Sequence, residues 1–410
     1  MFVAIMGYGT VGSGVAQVIA DNNENIARKS AQDIFDVKYI LDLRDFPGDV
    51  NENKMIKDFN IILNDPQIQV VVETMGGLHP AYEFVSSCLL AGKSVVTSNK
   101  ELVAAKGDEL LKIAREKNVN FFFEASVGGG IPIIRPISQC LAANKISEIA
   151  GILNGTTNFI LTMMIDKNMS FEDALKLAQD NGYAEKDPTA DVEGFDACRK
   201  ICILASLCFG KHVYPDEVHT EGITKISLKD VEYVKSLGGV IKLIGRAKKL
   251  SDDKISAIVS PAVVKNGSQL ASVSDVFNAI LVRGDAVGDT VFYGKGAGKL
   301  PTASAVVADI MDCAAHLDKR KEFGWESGTK NYVADYNELE TVMYVRAETQ
   351  NKAEAEKDIN SVFENAVFAD TGSSDDIVFI TDCEKESELN RKLDNIGSIS
   401  VISKIRVVDY

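Results

Sequence analysis

Short, β-branched apolar runs alternate with longer amphipathic stretches over the first third of the chain. The run at 2–6 (Phe-Val-Ala-Ile-Met) leads straight into a glycine-rich turn, and residues 11–25 behind it carry helical periodicity. Further short runs stand at 37–43, 70–72, 94–97 and 121–124, with helical patterning between them at 80–91 and 107–117. Strands that alternate with helices form βαβ units and a parallel sheet. Residues 1–130 are therefore expected to form a doubly wound α/β domain. The break Gly128-Gly129-Gly130 closes it, and residues 131–300 mix strands and helices less regularly, as an α+β domain does. A helix over 301–320, with Ala303, Val306, Val307, Ile310, Met311 and Ala314 as its apolar face, is expected to complete the first domain. The polar stretch 318–331 reads as a linker. Residues 335–410 then carry strand, helix, strand, helix, strand patterning at 341–346, 353–363, 376–381, 384–396 and 401–408, which suggests a small α+β module.

Composition narrows the function classes. A chain of 410 residues suits two or three domains. Its 44 basic and 59 acidic residues give a formal charge of −15, which argues against nonspecific binding to nucleic acid or anionic membranes. No apolar run approaches the roughly 20 residues that span a bilayer, and the N-terminus lacks the basic flank of a signal peptide. The seven cysteines form no CxxC pair, so Cys198, Cys202 and Cys208 read as core thiols of a protein in the reducing cytoplasm.

The turn after the first strand is Gly7-Tyr8-Gly9-Thr10-Val11-Gly12, a dinucleotide fingerprint in its full strand–turn–helix setting. Gly7 permits the tight turn, Gly9 lets the backbone approach a pyrophosphate, and Gly12 allows close helix–strand packing. The helix N-terminus at Thr10 and Val11 attracts the phosphate charge. At the end of the second strand Asp42 suits a ribose hydroxyl, while Arg44 suits a 2′-phosphate and favours NADP over NAD, or else is a surface arginine. Thr97-Ser98-Asn99-Lys100 follows a strand at the sheet edge where ligands bind, so Lys100 is a candidate donor to a substrate oxygen. Pro188 interrupts the chain before a helix that runs to about residue 209, with Asp191 as candidate N-cap. That helix carries no charge between Lys200 and Lys211, so it is expected to be buried. Asp196 and Lys200 share one face four residues apart. This spacing admits a plain salt bridge, or a polar pocket for a zwitterionic substrate lined by Glu185, Asp191, Asp196 and Lys200.

Five stretches carry a resemblance: Thr97 to Lys100, Glu124 to Ile134, Gly151 to Phe159, Gly182 to Lys200, and Gly294 to Val307. In this order they resemble homoserine dehydrogenase over residues 1–320. The resemblance implies a Rossmann-type sheet, a catalytic and dimerisation α+β domain over 131–300, and interconversion of L-aspartate 4-semialdehyde and L-homoserine with NADP or NAD. It implies Lys100 and Lys200 as catalytic lysines, with Lys100 also near the cofactor. Glu185, Asp191 and Asp196 would hold the substrate, Gly155 and Thr156 would flank it, and Gly296 and Gly298 would lie near the nicotinamide. It further implies a sodium site made by Glu124 and the carbonyls of Val127, Gly129 and Ile131, oxygen donors that suit a hard cation. A homodimer or homotetramer is implied as well.

Bacterial members of the family often end in an ACT domain, and residues 335–410 fit its length and rhythm. The turn after the first strand of that module usually contains Asp-x-Pro-Gly. Here 348–353 reads Glu-Thr-Gln-Asn-Lys-Ala, without the small residues that let a ligand approach the backbone. An ACT-like module that serves oligomerisation rather than threonine sensing is expected. With the glycine turn at residue 7, a monofunctional enzyme of bacterial type is expected. Two other readings stay open on the residues alone: an oxidoreductase for a different amino-acid aldehyde, and a catalytically silent dinucleotide sensor.

Overall fold

The computed structural model describes residues 1–30 and 35–410, which fall into two compact units. The first comprises Met1–Lys145, Cys202–Pro215 and Gly294–Lys330; the second comprises Ile146–Ile201, Asp216–Tyr293 and Asn331–Tyr410.

Six strands build the first unit's parallel sheet: β1 (Phe2–Met6), β2 (Asp36–Leu41), β3 (Met55–Ile56), β4 (Ile68–Glu73), β5 (Ser94–Thr97) and β6 (Phe121–Phe122). Their order is β3-β2-β1-β4-β5-β6, so the winding reverses between β1 and β4. In such sheets the ligand crevice opens at the carboxyl ends of the strands at that reversal. The helices are α1 (Thr10–Ser30), α2 (Phe59–Asn64), α3 (Ala81–Leu90) and α4 (Lys100–Lys117), joined by a late helix, Lys299–Ala315. Val3, Ile5, Val70, Val72 and Val96 of the sheet pack with Val15 and Ile19 of α1 and with Val306 and Ile310 of the late helix. Burying each such side chain stabilises the fold by roughly 1.5–3 kcal/mol. The apolar stripe of 301–317 thus completes this core, as its periodicity indicates.

Two features depart from expectation. Helix α4 begins at Lys100, not at residue 107, because Asn99 caps it by accepting the Leu102 N–H at 3.0 Å. The stretch 318–331 is no free linker. Trp325 within it is 2% exposed, the Glu326 N–H donates to Gly210 O at 2.9 Å, and the His212 N–H donates to Glu326 O at 2.9 Å. Two large apolar residues, Phe323 and Trp325, among polar neighbours leave no periodicity to read.

The second unit holds a mixed sheet in the order β12-β11-β7-β9-β10-β17-β13-β15-β14. Its strands are β7 (Ile146–Ile152), β8 (His219–Thr220), β9 (Gly239–Ser251), β10 (Lys254–Lys265), β11 (Phe277–Gly284), β12 (Gly288–Lys295), β13 (Glu340–Glu348), β14 (Val367–Phe368), β15 (Asp376–Ile380), β16 (Glu384–Lys385) and β17 (Ser400–Val408). Its helices are α5 (Gly155–Lys167), α6 (Phe171–Asp180), α7 (Thr189–Val192), the part of α8 (Phe195–Phe209) up to Ile201, α9 (Leu228–Ser236), and two more, Lys352–Val362 and Glu386–Asp394. The last four main strands run β17-β13-β15-β14 around those two helices, a split βαβ arrangement. This tail is not set apart as the sequence suggests. Strand β17 pairs in parallel with β10, Val263 opposite Val407, so one sheet continues through both regions. A buried ion pair and a buried hydrogen bond add to the join: Arg346 Nε lies 2.8 Å from Asp230 Oδ1 of α9, and the Tyr233 hydroxyl donates to Asp376 at 2.7 Å.

Cys88, Cys198, Cys202 and Cys313 are buried, while Cys140 and Cys383 are exposed. Among the described residues, no helix is long and apolar enough to cross a membrane.

Candidate active site

Each glycine of the turn after β1 has its own steric reason. Gly7 sits at φ +95, and a Cβ there would lie 2.9 Å from the backbone of Thr74 and Met75. A Cβ on Gly12 would lie 1.9 Å from the Gly7 carbonyl oxygen. At Gly9 a Cβ would meet nothing within 4 Å, so this backbone faces open space. A side chain there would fill the room a pyrophosphate needs. The turn opens α1 at Thr10 and Val11, whose free N–H groups and helix dipole favour an anion.

Asp42 braces the turn by accepting the Tyr8 N–H at 2.7 Å. It also holds Arg44 in a two-pronged pair, Nε to Oδ1 at 3.0 Å and Nη2 to Oδ2 at 2.8 Å. Hydrogen bonding from Arg44 keeps the Asp42 carboxyl well below the usual carboxylate range. The Arg44 side chain remains 62% exposed. Lys57 stands beside this pair, its amine 2.8 Å from Leu43 O and 2.6 Å from Asp45. Behind the turn, Glu73 at the end of β4 is fully buried. It accepts from the Met75 N–H at 2.7 Å and from the Thr97 hydroxyl at 2.6 Å, which fixes the wall against which Gly7 folds. Burial raises the Glu73 carboxyl. Neither Lys57 nor Glu73 stands out in the sequence, since their partners lie on other strands and loops.

Lys100, half-buried, opens α4 at the carboxyl end of β5, the edge of the sheet that also carries the glycine turn. Its position is set by Asn99, which caps the helix and donates to Gly77 O at 2.6 Å.

The loop from Glu124 to Ile131 docks on the segment 294–301. A Cβ on Gly129, at φ +55, would lie 2.3 Å from Gly296 O, and one on Gly130 would lie 2.7 Å from Pro301. The Gly130 N–H donates to Lys295 O at 3.1 Å. This brings Gly129 against Gly296. The Glu124 carboxylate accepts from the N–H groups of Ile133, Ile134 and Arg135 at 2.6, 2.8 and 2.8 Å. Arg135 also pairs with buried Asp309, whose carboxyl burial pushes up to about 7. Arg135 Nε also lies 3.7 Å from Glu124 Oε2. No cluster of three or more His, Cys, Asp or Glu that could hold a metal occurs among the described residues. A cation here would rest on carbonyl oxygens and one carboxylate, a donor set for a hard ion.

In the second unit, α5, α7 and α8 bring four polar residues together: Asn154, Asp191, Asp196 and Lys200. Asn154 caps α5 by accepting the Thr157 N–H at 2.8 Å, while its amide donates to Asp191 at 2.7 Å and to Asp196 at 2.9 Å. The Lys200 amine lies 2.8 Å from Asp196 Oδ2 and 2.8 Å from Leu153 O. Asp196 is 2% exposed and Lys200 7%. The salt bridge of the Asp196–Lys200 spacing is present, and Asn154 links it to Asp191. Beyond it, Ile201, Cys202, Ile203, Leu204 and Ala205 are fully buried, as expected of a helix apolar on all sides. Asp191 is not the N-cap of α8. It lies inside α7, and its side chain serves Asn154 instead. At the start of α5, a Cβ on Gly155 would lie 2.7 Å from Val276 O, and the Thr156 hydroxyl donates to Tyr183 O at 2.6 Å. The Glu185 side chain is exposed. Asn154 is the member that sequence reasoning missed; its signal is an Asn immediately before a helix.

Residues 7–124 match the family model for the homoserine dehydrogenase NAD-binding domain, and residues 132–311 match that for homoserine dehydrogenase. A homoserine dehydrogenase of Pseudomonas aeruginosa is 46% identical over 311 residues, 76% of this chain and 71% of the relative. The crystal structure of a homoserine dehydrogenase from Thiobacillus denitrificans superposes with a TM-score of 0.90 at 36% identity, covering 100% of this chain and 98% of that one. A hyperthermophilic archaeal homoserine dehydrogenase mutant in complex with NADPH gives a TM-score of 0.64 at 27% identity, covering 76% of this chain and 97% of that one. The chain, a nicotinamide-dependent oxidoreductase by its turn and its relatives, belongs to the homoserine dehydrogenase family.

Proposed function

We propose that this protein interconverts L-aspartate 4-semialdehyde and L-homoserine with NADP, and less readily with NAD. The buried Lys200–Asp196–Asn154–Asp191 network carries this reading. A bound nicotinamide supplies or accepts the hydride; the chain's own residues handle charge and protons. Asp196 and Leu153 O hold the Lys200 ammonium in one place. A fixed positive charge in a dry site stabilises an alkoxide as it develops, without reorganisation at the moment of reaction. Lys100 is the second amine assigned to that oxygen, and one of the two lysines, directly or through a water, moves the proton. Asp191 and Glu185 are assigned to the substrate ammonium, with Gly155 and Thr156 beside the carbon chain.

Arg44 supports the preference for NADP. Its guanidinium is exposed and already fork-shaped against Asp42, so a 2′-phosphate would take over the same donors. Glu124 with the carbonyls of Val127, Gly129 and Ile131 would hold a monovalent cation, sodium, in a structural role. We further infer a homodimer or tetramer in the cytoplasm.

The test compares L-homoserine with 4-hydroxybutyrate, which lacks the amino group. Sites that pair a buried polar group with substrate reject the analogue that lacks it by roughly 10⁴-fold. A drop of that order in kcat/KM supports the reading. Equal turnover of the two alcohols contradicts it.

A further inference from the structure

His212 lies outside the residues so far assigned to chemistry, yet it is fully buried and has polar partners on both ring nitrogens. The chain turns at Gly210 (φ +82) beyond α8 and runs beside Glu326, which fixes the His212 backbone. Its Nε2 lies 3.0 Å from the Ala104 carbonyl oxygen. A carbonyl only accepts, so Nε2 carries the proton. The indole N–H of Trp325 donates to Nδ1 at 3.1 Å, and an indole only donates, so Nδ1 is bare. The two partners together select one neutral tautomer. Ala104 stands four residues after Lys100, one helical turn along α4.

We propose that His212 is a positioning residue: a neutral imidazole clamped between Trp325 and the Ala104 carbonyl that fixes the Lys100-bearing turn of α4, and whose protonation opens the clamp. Adding a proton to Nδ1 sets two donors against each other, the imidazolium and the indole. The nearest other acceptor is Asp108 Oδ1, 3.8 Å away, buried and without a hydrogen-bond partner among the described residues. The protonated ring therefore turns towards Asp108, and the indole loses its acceptor. The charged and titratable groups facing the ring are Asp108, Glu109 and Lys106 on α4 and Tyr214 on its own segment; Glu326 beside Trp325 meets the His212 segment through its backbone, and its side chain is exposed. Tyr214 leaves Asp108 Oδ1 open, since its hydroxyl reaches only Oδ2, at 3.4 Å. Burial holds the imidazole below the ordinary histidine range, outweighing the pull of Asp108, so the clamp is closed at neutral pH. Because the folded protein holds this proton less tightly than the unfolded chain, the clamp costs stability as pH falls below about 6.5.

The positioning part rests on the role proposed for Lys100; the clamp does not. Trp325 is the only tryptophan in the chain, so its fluorescence reads the clamp directly. The experiment titrates the full-length protein from pH 8 to pH 5 and measures kcat and KM for wild type, His212→Gln, His212→Ala and Lys100→Ala. A glutamine keeps a donor for Ala104 O but does not titrate. The wild type is expected to show a reversible one-proton fluorescence change in the acid part of the range, absent in both His212 variants. His212→Ala is expected to lose roughly 10- to 100-fold in kcat with KM within about twofold, and His212→Gln to recover part of that loss. A wild-type signal that stays flat until global unfolding, or a transition that persists in His212→Gln, overturns the clamp. Unchanged kcat in a folded His212→Ala overturns the positioning role. Lys100→Ala with full activity and an intact fluorescence transition would instead remove the role of Lys100 and leave the clamp standing.

Discussion

Asp42 and Arg44 show how two residues at one strand end divide the work of cofactor selection. Asp42 is committed to the glycine turn through the Tyr8 N–H, so it cannot swing away. Arg44 pairs with Asp42 and lies over the Phe46 ring, and its side chain is exposed, so its guanidinium can exchange partners. Replacing Arg44 by Ala is expected to raise KM for NADP about tenfold, the size of one charge-assisted contact, and to leave KM for NAD within about twofold. Initial rates against both cofactors check this, and a parallel loss for both would show that Arg44 braces Asp42 and selects nothing. Much of the site was legible at this scale. Gly7, Gly9, Gly12, Asp196 and Lys200 carry fixed local spacings, and the structure gives each a local reason. Asn154, Glu73 and His212 were not legible. What makes each matter is a partner distant in sequence: Asp196 for Asn154, Thr97 for Glu73, and Ala104 and Trp325 for His212.

At the scale of elements, the turn between β1 and α1 makes separable demands on fold and ligand. Gly12→Ala would drive a methyl group into the Gly7 carbonyl and is expected to cost about 1–3 kcal/mol of stability, the usual penalty of overpacking. Gly9→Ala meets open space, so it is expected to fold with wild-type stability yet bind NADPH at least tenfold more weakly. Thermal unfolding and cofactor titration by fluorescence separate the two effects. A Gly9→Ala variant that binds normally would mean that the pyrophosphate does not approach there. Elements with a strong repeating pattern, such as Val70-Val71-Val72 and the stripe at 301–317, were readable because burial on a sheet or a helix face demands that pattern. The two-residue strands β3, β6 and β14 are too short to leave one. The first turn of α4 was hidden by its own capping sequence, since Ser-Asn-Lys reads as loop until Asn99 is seen to bond Leu102. The stretch 318–331 misled for the opposite reason: its polarity outweighed the two aromatic residues, Phe323 and Trp325, that anchor it.

At the scale of the whole chain, each unit is assembled from three separate segments, which no local pattern announces. The tail shows the same limit. Its strand–helix rhythm was legible, but the parallel pairing of β17 with β10 depends on residues about 140 apart, such as Val263 and Val407. The net charge of −15 sets the exterior, yet the residues assigned to chemistry include two lysines whose surroundings are local and specific. The account therefore stands or falls on turnover by the intact protein. The deciding measurement follows nicotinamide absorbance with L-homoserine and either NADP or NAD for wild type, Lys200→Ala and Lys100→Ala, with circular dichroism as the check on folding. Wild type is predicted to reduce cofactor, faster with NADP, and both folded variants to lose roughly 10²–10³-fold in kcat. A wild type inactive with both cofactors in either direction, or a folded Lys200→Ala variant that keeps the wild-type rate, would contradict it.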